Sequence, residues 1–232
     1  MSGKLVVLEG LDGAGKSTQV KLLRDYLEKM SPSLHYIHFP RYDSPVYGEL
    51  IGKFLRGGFG SIEAVHPQLV ALLYAEDRHG AASEMISALK SGANVLLDRY
   101  VYSNIAYQCA KIADSGEADS LRQWIFDTEF GSFALPRPDL NLFLDVPLGF
   151  VESKLTSSRE GDERGYLEGG AQDIHESSMD LQRRVRDMYR RQADLDPSFV
   201  RIDCADSRGE MLPPDAIFER IKTVVDKTFE HA

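Results

Sequence analysis

The sequence predicts an α/β protein, a doubly wound five-stranded parallel sheet flanked by helices, and three observations carry that expectation. Short apolar runs of strand character alternate with longer helical patterns, a glycine-rich loop follows the first run directly, and Pro or Gly punctuates most of the joins. Strands that alternate with helices build a parallel sheet covered on both faces, because each crossover lays a helix across it.

The first strand is Leu5–Leu8, four apolar residues in a row, as a strand buried on both faces requires. Helix Lys16–Met30 follows the glycine-rich loop, and strand Leu34–Phe39 follows the helix. Helices Val46–Leu55 and Pro67–Lys90 come next, the second opening on a proline, which suits a first helical turn. Strand Asn94–Leu97 leads into helices Tyr102–Lys111 and Ala118–Phe130. Strand Leu140–Leu144, helices Leu148–Ser157 and Ile174–Asp194, strand Val200–Asp203 and helix Asp215–Phe229 complete the order. The segment 157–170 is charged, Gly-rich and apolar-poor, the composition of a lid or surface loop. With no internal repeat, the 232 residues read as one domain, 1–232, carrying that segment as its lid.

Composition narrows the function. Hydrophobic residues make up 43% and charged residues 27%, a globular balance, and no apolar run is long enough to span a membrane. A formal charge of −9 disfavours nucleic acid and acidic membrane partners, which reward clustered Lys and Arg. Cys109 and Cys204 are too few for a disulfide framework and read as reduced thiols, and the start of the chain lacks a signal-peptide core, so a cytoplasmic location is expected. The histidines are scattered, with His35 and His38 on opposite faces of a strand, so a structural or surface role is expected for them.

The loop Gly10-Leu11-Asp12-Gly13-Ala14-Gly15-Lys16-Ser17-Thr18 fits G-x-x-x-x-G-K-[ST] between an apolar strand and an amphipathic helix, the context that motif needs. Its backbone N–H groups converge on phosphate oxygens, Lys16 reaches the outer phosphates, Ser17 can ligate Mg²⁺, and the helix N-terminus adds a positive dipole. The run Val95-Leu96-Leu97-Asp98 ends a strand on a carboxylate, the position of a Walker-B acid that holds Mg²⁺. Arg99, next in line, suits charge shared between two phosphates. Asp12 is the puzzle, an anion inside an anion cradle.

Taken together, "GLDGAGKST", "FPRY" (39–42), "LLYAEDR" (72–78), "DRYVYSNIAYQ" (98–108) and "SREGDERGYLE" (158–168) resemble thymidylate kinase in order and over most of the chain. The resemblance implies a P-loop kinase fold, transfer of phosphate from ATP to dTMP with Mg²⁺, and a homodimer. It also answers the puzzle, because in that family the carboxylate at the position of Asp12 faces the acceptor sugar and bonds its 3′-hydroxyl. By the same resemblance Tyr74 stacks on thymine, where the family more often has Phe, Arg78 bonds a ring carbonyl, and Tyr107 fills the space of a ribose 2′-hydroxyl. The family's other members with no arginine in the phosphate loop draw charge from the lid, here Arg159 and Arg164, since Gly13 and Ala14 leave this loop without one. The run "IDCADS" around Cys204 is implied to bracket adenine.

The spacing fits these roles. Tyr74 and Arg78, at i and i+4, share a helix face nearly opposite Leu69, Leu72 and Leu73. Asn104, Tyr107 and Gln108 share a face of the next helix, and the amide of either Asn104 or Gln108 could accept from thymine N3–H, which separates thymine from cytosine. Phe39, Arg41 and Tyr42 end the second strand at the carboxyl edge where such sheets place ligands, with Arg41 expected to meet the acceptor 5′-phosphate. The basic run Arg183, Arg184, Arg186, Arg190, Arg191 is expected to be a solvated helix face. A deoxynucleoside kinase is the nearest alternative, but its acceptor has no 5′-phosphate. A P-loop GTPase would carry N-K-x-D, which is absent.

Overall fold

A computed structural model of the chain describes residues 3–31, 33–156 and 178–230. The expected lid, 157–170, with Arg159 and Arg164, lies outside the described residues, as does the expected start of the helix at Ile174.

Five strands, β1 (Leu5–Gly10), β2 (Leu34–His38), β3 (Asn94–Asp98), β4 (Leu140–Asp145) and β5 (Phe199–Asp203), form one parallel sheet in the order β2-β3-β1-β4-β5. The three central strands are buried along their whole length, which is why their sequences run apolar without alternation. The chain winds from β1 out to β2, back to β3, and then crosses to β4 and β5 on the other side. The carboxyl end of β1 is therefore the switch point of the topology, the crevice where such sheets receive ligands. Gly10, Asp98 and Asp145 end the three strands that meet there.

The helices are α1 (Lys16–Met30), α2 (Tyr47–Leu55), α3 (Pro67–Gly80), α4 (Ala82–Lys90), α5 (Val101–Cys109), α6 (Ser115–Phe126), α7 (Leu148–Thr156), α8 (Met179–Leu195) and α9 (Pro214–Glu230). α1 and α9 pack together on one face of the sheet, and α5 and α8 pack together on the other. α8 buries Leu181, Val185 and Tyr189, spaced four apart on one stripe, and the Tyr189 ring stacks on Phe143 of β4 at 4.7 Å. Each such buried side chain contributes about 1.5–3 kcal/mol relative to exposure.

Three departures from the sequence reading have physical causes. The expected helix Pro67–Lys90 is two helices that break at Ala81. The Asp77 carbonyl, which would accept the Ala81 N–H in a continuous helix, instead accepts Arg41 Nη2 at 2.5 Å, and Ala81 turns to the Arg78 carbonyl at 3.0 Å. Second, the helix expected at Ala118–Phe130 starts at Ser115, because the Asp114 carboxylate accepts the Glu117 N–H at 2.9 Å as an N-cap, and it ends in a π-helix, Asp127–Ser132. Third, the basic run on α8 is a solvated face only in part. Arg183 and Arg184 are exposed and Arg191 pairs with Asp119 at the surface, whereas Arg186 and Arg190, with Arg201 of β5, converge on the buried carboxylate of Asp145.

Candidate active site

The phosphate loop connects β1 to α1 through two left-handed glycines, Gly13 and Gly15, each with φ 76°. A side chain is strained in that conformation, so the loop's course depends on glycine at both positions. Gly15 is the N-cap of α1, no acidic residue occupies the first turn, and Ser17 and Thr18 are exposed at the helix start. The positive end of the helix is thereby left to an anionic ligand. Lys16 Nζ lies 3.1 Å from the Leu11 carbonyl, folded over the loop that it would serve.

At the end of β3, Asp98 is buried, and its Oδ2 lies 3.1 Å from His38 Nδ1 of the neighbouring strand. Burial works to raise its pKa, but the His38 hydrogen bond and the charges of Lys16, His38 and Arg99 together hold it below the ordinary value. The other oxygen, Oδ1, is buried with no hydrogen-bond partner among the described residues. His38, expected to have a structural or surface role, is thus a partner of the carboxylate that ends β3.

Arg99 adopts a left-handed backbone, φ 67°, where chain direction turns from β3 into α5. Its guanidinium is anchored at three points: Nη1 donates to the Gly10 carbonyl at 3.0 Å and to Ser103 Oγ at 3.3 Å, and Nη2 to Asp12 Oδ1 at 2.5 Å. Burial opposes its charge, yet the surrounding Tyr107, Asp12, Tyr189 and Asp98 raise its pKa well above the usual value. Asp12 Oδ2 accepts from Tyr107 Oη at 2.7 Å and from Gln182 Nε2 of α8 at 3.3 Å, while the Asp12 N–H donates back to Tyr107 Oη at 3.2 Å. A donor-loop carboxylate is therefore tied to the charged residue after β3 and to an aromatic of α5.

Beneath this group lies Glu9, fully buried on β1. Its Oε1 accepts from the Tyr100 N–H at 2.9 Å and the Ser103 N–H at 3.2 Å, and its Oε2 accepts from Ser103 Oγ and from Tyr189 Oη at 3.1 Å. Burial raises its pKa, opposed by these bonds and by the charge of Arg99.

A cleft opens to solvent next to Asp12. Of the acceptor residues expected from sequence, Asp12, Phe39, Tyr42, Tyr74, Arg78, Arg99, Asn104, Tyr107 and Gln108 line it, joined by Pro40, Leu55 and Ser103. Arg41 does not. Its N–H and Nε donate to the Asp77 carboxylate at 2.8 and 3.0 Å and its Nη2 to the Asp77 carbonyl, so the buried Asp77 holds it against α3. Arg41, expected to meet the acceptor phosphate, thus has Asp77 as its partner, and the next residue, Tyr42, lines the cleft.

Arg78, buried on α3, donates Nε and Nη2 to the two oxygens of Glu129 at 2.5 and 2.7 Å. Burial disfavours its charge, but Glu129 more than compensates and raises its pKa. Asn104 donates Nδ2 to the Ala71 carbonyl at 3.0 Å and to Glu129 Oε1 at 2.9 Å, and its Oδ1 is buried with no partner among the described residues. Gln108 Oε1 instead accepts from Lys111 Nζ at 2.8 Å. The two amides that sequence left as alternatives thus differ: Asn104 has a buried acceptor with no partner among the described residues, and the acceptor of Gln108 is engaged.

Glu9, Gln182, Glu129 and His38 were not singled out as site residues from sequence. Glu9 had one usable signal, a carboxylate among the apolar residues of a central strand, and the other three had none.

The thymidylate kinase family model matches residues 8–212 of the chain. Thymidylate kinase of Mycobacterium tuberculosis is 32% identical over 185 residues, 80% of this chain and 83% of that protein. The probable thymidylate kinase of Thermococcus gammatolerans is 34% identical over 220 residues, 93% of this chain and 94% of that one. Among solved structures, thymidylate kinase from Candida albicans superposes with a TM-score of 0.72 at 27% identity, covering 100% of this chain and 94% of its own.

Proposed function

This chain belongs to the thymidylate kinase family and transfers a phosphoryl group from ATP to dTMP, giving ADP and dTDP; from that premise we propose that the loop Gly10–Thr18 takes ATP and the cleft takes dTMP. The observation that carries the assignment is the contact of Asp12 with both Arg99 and Tyr107, which sets a carboxylate of the phosphate loop inside the cleft.

In this reading the loop amides and Lys16 hold the outer phosphates of ATP, and Gly10, Gly13, Ala14 and Gly15 let the backbone close on them. Arg99, fixed at three points, stands between donor and acceptor phosphates and stabilises the charge they share. Tyr42 supports the acceptor phosphate in the place expected of Arg41. Asp12 accepts the sugar 3′-hydroxyl, a role that suits a carboxylate of the phosphate loop held beside Arg99 and Tyr107 at the cleft. Phe39 and Tyr74 flank the base, and the ring of Tyr107 fills the volume that a 2′-hydroxyl would need. The acceptor phosphate is already an anion, so positioning and charge neutralisation suffice and no protein base is required. Arg159 and Arg164, outside the described residues, supply the charge that Gly13 and Ala14 do not.

The site fits Mg²⁺. Among the described residues no cluster of three or more His, Cys, Asp or Glu could hold a metal, and magnesium bound to a nucleotide needs only one or two protein ligands. The unpartnered Oδ1 of Asp98 and the hydroxyl of Ser17 are those ligands in our reading. When bound, the ion neutralises phosphate charge during transfer. Leu69 and Leu72 stand 62% and 37% exposed on α3, an apolar face that supports a homodimer. Both cysteines are buried free thiols, in keeping with a cytoplasmic location, and no helix among the described residues is long and apolar enough to cross a membrane.

A coupled ADP assay with dTMP or thymidine as acceptor tests the proposal. Turnover is expected with dTMP and ATP–Mg²⁺ and not with thymidine. Turnover of thymidine alone would reassign the cleft to a deoxynucleoside kinase, and nucleotide hydrolysis indifferent to either acceptor would point to a GTPase-like switch.

A further inference from the structure

Glu129 is not among the residues that line the cleft, yet two that do, Arg78 and Asn104, are bonded to it. Its carboxylate receives three donors: Nε and Nη2 of Arg78 and Nδ2 of Asn104. Arg78 Nη1, a donor, takes no part in these bonds, and Asn104 Oδ1 is a buried acceptor with no partner among the described residues. The orientation of the Asn104 amide follows from its surroundings, because Nδ2 faces two acceptors, the Glu129 carboxylate and the Ala71 carbonyl, and a turned amide would set oxygen against oxygen at both.

A donor beside an acceptor is a code. Thymine and uracil offer N3–H as a donor next to the O4 acceptor and match it. Cytosine offers N3 as an acceptor next to the N4 amino donor and meets like against like at both positions. We propose that Glu129 is the positioning residue that sets this polarity, so that an acidic side chain out of reach of the base decides which pyrimidine is phosphorylated. The inference rests on the assignment of the cleft to dTMP. The local fold suits it: Glu129 lies in the π-helix Asp127–Ser132, where the widened turn brings it fully inside between α3 and α5. Its charge is essential to the role, because a carboxylate accepts on both oxygens and an isosteric amide on only one. With three donors directed at it, an amide forces at least one of Arg78 and Asn104 to turn away.

The test compares dUMP with dCMP, which share everything but this edge and avoid any contribution of the thymine methyl. In Glu129→Gln the ratio of kcat/KM for dUMP over dCMP is expected to fall by at least about tenfold, a small part of the discrimination that sites built to hydrogen-bond a substrate reach. The fall should come from slower use of dUMP, with the KM for ATP unchanged. A uniform loss on both substrates at constant ratio would show that Glu129 only supports the fold and would overturn the inference. If the variant does not fold, the wild-type protein supplies the answer through its isotope-labelled Asn104 side chain. Both amide hydrogens should exchange slowly with water, with and without dTMP, and exchange at the rate of an exposed amide would overturn the inference. Failure of the underlying assignment looks different: wild type would then use dUMP and dCMP equally, or use neither dTMP nor dUMP, and the inference would fall with it.

Discussion

The Asp12 carboxylate and the Arg99 guanidinium meet at 2.5 Å, joining a residue of the phosphate loop to the residue that follows β3. The contact spans the switch point of the sheet, since β1 and β3 are neighbours and Leu8 stands level with Asp98. Both groups also engage Tyr107, through the Asp12 carboxylate and through the guanidinium lying 5.3 Å from the ring centroid. The phosphate loop, the residue after β3 and the cleft are therefore joined as one bonded unit, the kind of preorganisation that phosphoryl transfer rewards.

Arg99→Lys should show how much of that unit depends on shape. A lysine ammonium cannot reach Gly10, Ser103 and Asp12 from one planar fork. Steady-state kinetics with dTMP and ATP are expected to show kcat lower by about 10²-fold or more despite the retained charge. A loss under tenfold would mean that charge alone matters.

Tyr107 combines two roles that substitution separates. Tyr107→Phe removes the bond to Asp12 and keeps the ring, so kcat/KM for dTMP should fall about tenfold while the preference for dUMP over UMP persists. Tyr107→Ala should relax that preference. An unchanged preference in the alanine variant would assign the ring to packing.

Asp98→Asn tests the proposed metal ligand. The half-saturating Mg²⁺ concentration is expected to rise at least about tenfold, as when metal-site partners are lost. An unchanged Mg²⁺ dependence would remove Asp98 from the metal site.

Glu9 gives a pH signature. Its folded pKa is raised above 4.5 by burial, so the folded state holds the proton more tightly than the unfolded chain does. Its contribution to stability is full below the unfolded pKa and declines as pH rises through the folded value. Glu9→Gln does not titrate, its oxygen can keep both backbone N–H bonds, and the hydroxyls of Ser103 and Tyr189 can reverse to accept. Denaturant unfolding should therefore show wild type losing stability relative to Glu9→Gln as pH rises from 4.5. A difference independent of pH would contradict the raised pKa.

The sheet and the phosphate loop were legible because each is written locally. Continuous apolar runs gave all five strands to within two residues at either end, and the motif with its flanking strand and helix gave the loop. What sequence missed depends on partners distant along the chain. Nothing in the periodicity near Gly80 marks a break, because the break comes from Arg41 taking the Asp77 carbonyl. The partner of Arg41 was hidden in the same way, since Asp77 is 36 positions away. Arg186 and Arg190 of α8 read as part of a solvated face because Asp145, the carboxylate that gathers them, stands 41 and 45 positions away along the chain. Glu129 sits in a polar stretch with no helical stripe to mark it, and the π-helix that turns it inward has no signature in a 3.6-residue pattern.

The placement of Asp12 at the acceptor sugar is tested most directly by a double comparison of dTMP with 3′-deoxy-dTMP in wild type and Asp12→Ala. Wild type is expected to lose about 1.5–3 kcal/mol of transition-state stabilisation with the analogue, the range for a hydrogen bond to a charged group. The variant should lose much less, because its partner is already gone, and its ATP affinity should hold, since the loop amides, Lys16 and Ser17 are intact. Equal analogue penalties in the two enzymes, or a collapse of ATP affinity in the variant, would contradict it and make Asp12 a structural part of the phosphate loop.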